Sequence, residues 1–428
     1  MIAIKPSMDY IRKNLTIAEI SGSFGDFGTL IPILVSLSIT NQVNLAASLV
    51  FGGIFNILAG IIFDIPMCVQ PMKSIAAIAL LAKLTPGEIA SAGLFVSCTL
   101  LFLIATGLLN FIYKIIPICI VRGIQLGTGL SLISKGISNI QKAKGWSFVK
   151  FDWMDNYTIA IFSMILIVTT WRFRFSFSAL FLFLLGIFFA LIKTNWIIVS
   201  PAIAFSTPFV PSVNEWGTGI FQAGLGQLPL TLLNSVVATS ALADDLFPER
   251  RKPVAPLNTV GFCVGMMNVI SVWFGALPWC MGSGGLAAQY RFGARTGLSV
   301  IILGFIKLIC GTFFSSSLLP LFKEIPISLV GVLLVISGLQ LALVTVDLGE
   351  YNHRSERENA YFVMIITGTA VVGFANDGLG FLVGVMAHLI FHYTTDHESL
   401  TLERERLLLK SEETVFERSV STPTVVAA

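Results

Sequence analysis

The run Gln70-Pro71-Met72-Lys73-Ser74 has the residue types of an anion-binding site, because a proline turn opens there into a short apolar helix. The start of a helix presents unpaired backbone N–H groups and about half a positive charge, so it attracts anions. Lys73, in the first turn, adds a full positive charge. Inside a membrane such a cation marks function by default. The alternative is that Pro71 only begins the helix and that Lys73 reaches out to an interface.

A second run, Met281-Gly282-Ser283-Gly284-Gly285, has the composition of an anion nest. Its glycines let the backbone approach a ligand closely, and successive N–H groups can point at one spot. The alternative is a glycine-rich turn that serves only tight helix packing. Alone the run is a weak indication, but together with the lysine-bearing run it predicts an anion held between two helix starts.

Acidic residues within apolar segments form a third group. Asp26 lies in the run Gly25-Asp26-Phe27-Gly28-Thr29, and Asp244-Asp245 ends a segment that also contains Asn234. Carboxyl groups in apolar surroundings face a cavity or a partner and can carry a proton. We therefore predict proton coupling at Asp26, Asp244 and Asp245. Because the last two precede Arg250-Arg251-Lys252, a role as a cap or in a salt bridge fits them equally well.

The remaining reactive side chains indicate no further chemistry. His388 and His392 have the spacing of two metal ligands on one helix face, but no Glu accompanies them, so we interpret them as an interfacial pair. The six cysteines lie in apolar segments and are interpreted as small hydrophobic residues. We find neither a catalytic nucleophile arrangement nor a phosphate-binding glycine loop. We therefore expect no enzyme, no ATPase, no cofactor and no metal.

The chain that positions these groups is strongly apolar. Of its 428 residues, 55% are hydrophobic and only 12% are charged, with a mean hydropathy of +0.84. A soluble globular protein carries roughly 25% charged residues, so the composition indicates a polytopic membrane protein embedded in a lipid bilayer. Long continuous apolar runs exclude an outer-membrane barrel. The net charge of only +3 argues against a nucleic-acid partner.

The hydropathy pattern predicts an all-α protein with about fourteen transmembrane segments. Two of them, 70–84 and 283–294, are shorter than the roughly 20 residues that cross a bilayer, and each follows a Pro- or Gly-rich stretch. We predict that these two are half-helices that carry the two anion-binding runs. The fourteen segments are 16–38, 44–63, 70–84, 88–112, 115–137, 156–171, 175–196, 221–246, 255–275, 283–294, 297–320, 325–346, 359–376 and 378–395.

An internal repeat relates the two halves of the chain. Asn56, Pro66 and Cys68 recur 212 residues later as Asn268, Pro278 and Cys280. Seven segments in each half is an odd number, so the halves must have opposite orientations in the membrane. The pattern predicts a 7+7 inverted repeat of the kind that builds secondary transporters. Chance identity between apolar segments is the alternative.

The distribution of basic residues predicts cytoplasmic termini, residues 1–15 and 396–428. Connections assigned to the cytoplasm carry Arg250-Arg251-Lys252, Arg291 and Arg295, whereas Lys142, Lys144 and Lys150 contradict the rule on the predicted outer side. The polar tail 396–428 is too short for a regulatory domain of the usual size. Within it, 403–408 fits an acidic dileucine sorting signal, although a charged helix end is the preferred interpretation.

With these residues the chain resembles the molybdate transporter family, sulfate-permease relatives that lack the regulatory STAS domain. The matching runs are Gly25-Asp26-Phe27-Gly28-Thr29, Gln70-Pro71-Met72-Lys73-Ser74, Ala243-Asp244-Asp245-Leu246-Phe247-Pro248 and Gly282-Ser283-Gly284-Gly285-Leu286. The resemblance extends over nearly all of residues 16–395. One departure is Met281, where the family pattern tends to have a histidine, so no role of that histidine is carried over.

The resemblance implies a core domain that carries the anion and a gate domain. It places 16–112 and 221–320 in the core, and 113–220 and 321–395 in the gate. It also implies a substrate site between the half-helix starts and, as is common for this fold, a homodimer. The expected substrate-binding residues are Gln70, Met72, Lys73, Ser74, Ser283, Gly284 and Gly285, to which we add Thr29 and Asn234.

The resulting hypothesis is proton-coupled symport of a tetrahedral oxyanion, with molybdate as the first choice. Moving a dianion into a cytosol held at about −100 mV costs roughly 4.6 kcal/mol, so a coupling ion is needed. Sulfate transport, an anion exchanger or channel on the same scaffold, and a non-transporting receptor are the alternatives. A plasma membrane importer and a vacuolar or endomembrane exporter face similar energetics, because both deliver the anion into the cytosol, and the dileucine-like hexad 403–408 slightly favours an endomembrane.

Overall fold

The computed structural model describes residues 8–142, 154–170, 178–195, 207–346, 348, 354–374, 376 and 378–391. Helices account for almost all of the regular structure in these ranges, as the hydropathy pattern predicts. The tail 396–428 with its hexad 403–408, the loop lysines Lys144 and Lys150, and His392 lie outside the described residues.

The described helices fall into two sequence halves joined by one short sheet. The long helix Val213–Leu246 contains two π-helical stretches, Ile220–Gly224 and Thr231–Val237. The two strands are β1, Gln70–Pro71, and β2, Trp279–Cys280. The helices are α1 Met8–Asn14, α2 Ile17–Ser23, α3 Phe27–Ile39, α4 Leu45–Phe63, α5 Lys73–Ala82, α6 Pro86–Ala105, α7 Leu108–Ile115, α8 Ile118–Gln141, α9 Tyr157–Thr170, α10 Ser178–Lys193, α11 Val213–Leu246, α12 Leu257–Ser271, α13 Ser283–Arg291, α14 Leu298–Phe313, α15 Ser315–Lys323, α16 Ile327–Val344, α17 Arg354–Phe374 and α18 Gly378–Phe391.

The lengths of these helices differ from the predicted segments at several points. Four are long and apolar enough to span a bilayer alone, Leu45–Phe63, Pro86–Ala105, Val213–Leu246 and Leu257–Phe274, and the bent pair Ser317–Lys323 and Ile327–Leu343 supplies a fifth span if it is counted as one. Helix α11 begins eight residues before its apolar run, because Ser212 and Glu215 form a capping box there. The first predicted segment, 16–38, is broken into α2 and α3 next to Asp26.

Glycines let the main helix pairs approach closely. A Cβ atom added to Gly304 of α14 would lie 2.6 Å from the carbonyl oxygen of Gly53 in α4. In the same way, a Cβ on Gly338 of α16 would lie 2.4 Å from the carbonyl oxygen of Gly129 in α8. Helix α4 therefore packs on α14, and α8 packs on α16 and α17. The second group belongs to the predicted gate and the first to the predicted core.

Contacts at the two ends of the helices agree with an alternating path through a membrane. At one end Arg250 pairs with Asp64 (2.9 Å), which also accepts the backbone N–H of Gly297 (3.3 Å). At the other end the side chain of Gln42 donates to the carbonyl oxygens of Ala79 (2.6 Å) and Leu84 (2.8 Å). We call these the arginine end and the Gln42 end. Under the predicted orientation the arginine end is cytoplasmic.

We predict that Gly304→Ala destabilises the protein, because the added methyl group cannot fit between α14 and α4. Overpacking of this kind typically lowers the free energy of unfolding by about 1–3 kcal/mol. The measurement is the thermal unfolding midpoint of the purified protein in detergent. Gly373→Ala is the matched control, since Gly373 lies within α17 with open space around its Cα. Equal midpoints for the two variants would contradict the packing argument.

Candidate anion-binding site

The two half-helix starts meet at the two-stranded sheet. Strands β1 and β2 pair antiparallel, with Gln70 opposite Cys280 and Pro71 opposite Trp279. Helix α5 begins two residues after β1, and α13 begins three residues after β2. The crossing therefore points both helix N-termini at the same region in the interior of the protein, as the inverted repeat predicts.

Two repeat-related asparagines hold this crossing in place. The backbone N–H of Val69 donates to Asn56 Oδ1 (2.9 Å), and that of Trp279 donates to Asn268 Oδ1 (2.6 Å). The side-chain amide of Asn268 also donates to the carbonyl oxygen of Trp279 (2.8 Å). Both asparagines are fully buried. They satisfy backbone groups that the extended strands leave without helical partners, which a membrane interior requires.

The structure brings Gln70 and Lys73 to the start of the opposite half-helix. A methyl group on Gly284 would lie 3.9 Å from Lys73 Nζ, and one on Gly285 would lie 3.3 Å from Gln70 Oε1. Gln70 is 1% exposed, and among the described residues neither its amide atoms nor the Lys73 ammonium has a hydrogen-bond partner. Buried polar groups are normally paired. These atoms therefore have the capacity to bind a ligand.

Ser283 and Asn234 form the opposite wall. The Ser283 hydroxyl donates to Asn234 Oδ1 (2.5 Å), and Asn234 lies in the second π-helical stretch of α11. Stretches of this type often occur at functional sites. A cavity of about 10 Å³ remains between Gln70, Lys73, Asn234 and other neighbours, which is about the room of one water molecule. An oxyanion can enter only if the surrounding groups move apart.

The backbone N–H groups of Met72 and Ser74 both donate hydrogen bonds within the protein. The Met72 side chain is buried in the apolar core, and its N–H donates to the carbonyl oxygen of Pro278 (2.8 Å). The N–H of Ser74 is not free either, because Gln227 Oε1 accepts it (2.9 Å) together with the N–H of Ile75 (3.3 Å). Gln227 of α11 thus caps the start of α5, in the place where an anion was expected.

Sequence reasoning missed Gln227, although a signal was present. It is a fully buried amide within a predicted transmembrane segment, and its own Nε2 donates to Thr231 Oγ1 (3.0 Å). The residue is polar and lies between Gly226 and Pro229 in an otherwise apolar stretch. Its partner on α5 is more than 150 residues away in sequence, so spacing alone could not reveal the contact.

Asp26 lies beside the site, at the break between α2 and α3. The thiol of Cys68 donates to Asp26 Oδ2 (3.0 Å), and the hydroxyl of Thr29 donates to Oδ1. A methyl group on Gly285 would lie 3.4 Å from Oδ1. The structure therefore places Asp26 at the start of α13, and the hydroxyl of Thr29 is bound to Asp26.

Lys307, a second buried cation, was also missed by sequence reasoning. It is 3% exposed, lies in the middle of α14 and donates to the carbonyl oxygen of Val69 (3.4 Å). Its ammonium is 5.8 Å from the centre of the Trp279 ring. A single lysine within the apolar segment 297–320 was the available signal.

Asp244 and Asp245 lie away from this region. Asp244 Oδ1 accepts the backbone N–H of Val254 (2.7 Å), and Asp245 pairs with Arg122 (2.5 Å). Both follow Asn234 by ten or more residues, which is about 15 Å along a helix. The contacts match the capping and salt-bridge roles that the sequence left open. Met281, the departure noted in the glycine run, is buried and its carbonyl oxygen accepts the Thr239 hydroxyl (2.9 Å).

Comparisons with known proteins identify the family of the chain. A family model described as a molybdate transporter of the MFS superfamily matches residues 18–132 and 219–341. The chain is 36% identical to molybdate transporter 2 of Arabidopsis thaliana, over 91% of this chain and 90% of that protein. It is 30% identical to molybdate transporter 1 of Chlamydomonas reinhardtii, over 87% of this chain and 91% of that protein.

Solved structures show the fold. The structure of SLC26A9 superposes with a TM-score of 0.56 at 14% identity, over 89% of this chain and 65% of that chain, so this chain spans just under two thirds of SLC26A9. The transmembrane domain of the cyanobacterial bicarbonate transporter BicA superposes with a TM-score of 0.50 at 17% identity, over 87% and 98% of the two chains. The predicted all-α membrane fold with a 7+7 inverted repeat is confirmed.

Proposed function

Because this chain belongs to the molybdate transporter family, we propose that it is a secondary active transporter that binds molybdate between the N-termini of α5 and α13 and carries it with protons. The family consists of transporters and not of enzymes, and the chain is an integral multi-pass membrane protein. The substrate position, the proton coupling and a homodimer are our proposals.

One observation is the main support for the proposed position of the substrate. The ammonium of Lys73 and the amide of Gln70 are buried without partners among the described residues, next to two opposed helix starts. A tetrahedral oxyanion has four acceptor oxygens, and the Lys73 ammonium, the Gln70 side-chain NH₂ and the two positive helix ends are groups that bind such oxygens. Gln70 Nε2 and the N–H group of Gly284 suit separate oxygens of such a ligand, whereas the N–H of Gly285 already donates to the carbonyl oxygen of Gly282 (3.1 Å).

The charges around the site support coupling to protons. Lys73 and Lys307 supply two positive charges, and Asp26 removes one of them when it is ionised. A bound dianion is balanced only if Asp26 carries a proton. In a medium of low dielectric constant an unbalanced charge is strongly unfavourable. Dianion and proton therefore bind together, and the proton offsets part of the roughly 4.6 kcal/mol needed to move the dianion inward against about 100 mV.

The transport step that we propose moves the core against the gate. Leu132 of α8 reaches the start of α13, since a methyl group on Gly284 would lie 3.0 Å from Leu132 Cδ1. Leu132 also packs with Val330 and Leu334 of α16. These gate side chains cover the site toward the Gln42 end, so a shift of α8 and α16 away from α13 would open it.

We predict acid-stimulated uptake of trace molybdate that resists excess sulfate. Cells that express the chain are compared at acidic and neutral external pH, with an internal-membrane preparation run in parallel. Asp26→Asn mimics the protonated carboxyl group, so it should abolish the pH dependence while uptake continues. Asp244→Asn is the control and should keep the pH dependence, because its carboxylate caps a loop. Full competition by sulfate would contradict the choice of molybdate, and unchanged pH dependence in Asp26→Asn would contradict its role.

Lys73→Met should weaken molybdate binding at least about 100-fold. The reason is that a charge about 4 Å from an ion in a partly buried site contributes several kcal/mol, and every 1.4 kcal/mol changes affinity tenfold. Binding to the purified protein is measured by calorimetry. Lys83→Met is the matched control, because Lys83 terminates the same helix at its exposed far end. If both variants bind like the parent protein, Lys73 has only a packing role.

Gln227→Ala should strengthen molybdate binding several-fold. Its side-chain oxygen now occupies the N–H groups of Ser74 and Ile75, and an anion must displace it. Gln227→Glu should weaken binding, since a carboxylate competes better for a helix start than an amide does. The same calorimetric titration distinguishes the cases. A loss of affinity in Gln227→Ala would show instead that the Gln227 side chain contributes to binding.

A further inference from the structure

A second cavity lies at the Gln42 end, well away from the half-helix starts. It is formed by the end of α8, the start of α9, the end of α10 and the turn between α15 and α16. Its volume is about 290 Å³, far larger than the space beside Lys73. We call it the basic cup, and its lining residues are Lys142, Asp155, Lys193, Lys323, Glu324, Ile325 and Ile327.

The basic cup has three lysines against two acidic residues, Asp155 and Glu324, and so has a formal excess of one positive charge. Among the described residues, none of its three lysines forms an ion pair. The two oxygens of Asp155 accept the backbone N–H groups of Ile327 (3.1 Å) and Ser328 (3.0 Å), which directs this carboxylate to the start of α16. An excess of positive charge around one opening attracts anions and raises their local concentration.

A polar stripe along α8 links the cup to the central site. The spacing of these side chains, three and four residues apart, puts them on one face of the helix. Lys135 is central in the stripe, between Ser134 and Ser138. Leu132, one turn before Lys135, covers Gly284 of α13. The stripe consists of Ser131, Ser134, Lys135, Ser138 and Lys142.

The position of the cup also bears on the one exception to the positive-inside rule. Lys142 belongs to the loop whose lysines lie on the predicted outer side. Under the predicted topology, all helix ends around the cup are on that side, opposite the connection that carries Arg250. Lysines placed there against the usual distribution need a reason other than topology, and attraction of an external anion is such a reason.

We propose that the basic cup is an outer collecting site for tetrahedral oxyanions, from which the substrate moves along the α8 stripe past Lys135 to the half-helix starts. This inference rests on the proposed transport function. The ligand class is a divalent tetrahedral oxyanion in free solution. The phosphate of a lipid headgroup has the same chemistry, so the test must distinguish the two sources.

The test measures initial molybdate uptake by the full-length protein in phosphatidylcholine vesicles. The variant Lys142→Gln/Lys193→Gln/Lys323→Gln should raise KM about three- to tenfold at low ionic strength while the maximal rate changes less than twofold. The increase should vanish near 1 M salt, where screening acts over about 3 Å. Lys83→Gln, which removes an exposed lysine outside the cup, should keep the KM of the parent protein.

Three outcomes separate the hypotheses. An unchanged KM in the triple variant, with active parent protein, overturns the collecting site but not the transport function. An effect that appears only after phosphatidic acid is added assigns the cup to lipid phosphate and also overturns the proposal. Absence of uptake by the parent protein overturns the transport function itself.

Substitutions of Lys135 provide an independent test of the proposed route. Lys135→Gln should reduce the maximal uptake rate at least fivefold and leave calorimetric binding at the central site within twofold, because Lys135 lies on the route and not at its end. Lys135→Arg keeps the charge and should restore most of the rate. Equal rates for Lys135→Gln and the parent protein would exclude the α8 stripe as the route.

Discussion

The structure depends on one constraint, which is that two helices must start in the middle of an apolar protein with every backbone group satisfied. Unpaired N–H and C=O groups at that depth cost several kcal/mol each. The pairing of β1 with β2 satisfies some of them, and Asn56 and Asn268 satisfy others. The N-termini of α5 and α13 lie directly after this sheet. The scaffold thereby concentrates positive potential at one place, and the positions of Lys73, Gln70 and the glycines of α13 follow from it.

Buried charged residues around this crossing determine the electrostatics of the candidate site. Lys307 forms no ion pair among the described residues and donates to the carbonyl oxygen of Val69, the residue that precedes β1. Asp26 is fixed by Cys68 and Thr29 and lies against α13. A site with two fixed cations and one carboxylate changes its preference for a dianion when that carboxylate binds a proton. In this proposal, coupling of proton and dianion transport needs no chain of proton-transferring residues, because the dianion and the proton bind in one electrostatic environment.

Much of this arrangement could be predicted from the sequence, and the failures have a common cause. Helix starts, apolar segments and the repeat are local or periodic features, so the half-helices and the juxtaposition of Lys73 with Gly284 and Gly285 follow from them. Gln227 and Lys307 are single polar residues in apolar segments, and their roles depend on partners more than 100 residues away. Asp244 and Asp245 had two interpretations that only the tertiary contacts with Val254 and Arg122 could separate. Domain movement, oligomeric state and the choice of membrane depend on states or partners outside a single chain.

The inverted repeat is symmetric in its scaffold but not in its chemistry, and this asymmetry suits a transported anion. Helix α5 starts with a cation and is capped by Gln227, whereas α13 starts with Ser283 and glycines. Two lysine-bearing starts would bind a dianion too tightly to release it, and two glycine-bearing starts would leave its charge uncompensated. In the proposed site, one charged start and one neutral start would give intermediate affinity. The Gln227 amide, which can occupy the α5 start when the anion leaves, further limits the desolvation penalty of the empty site. Transport requires such a balance, because a ligand that binds equally tightly in every state is carried nowhere.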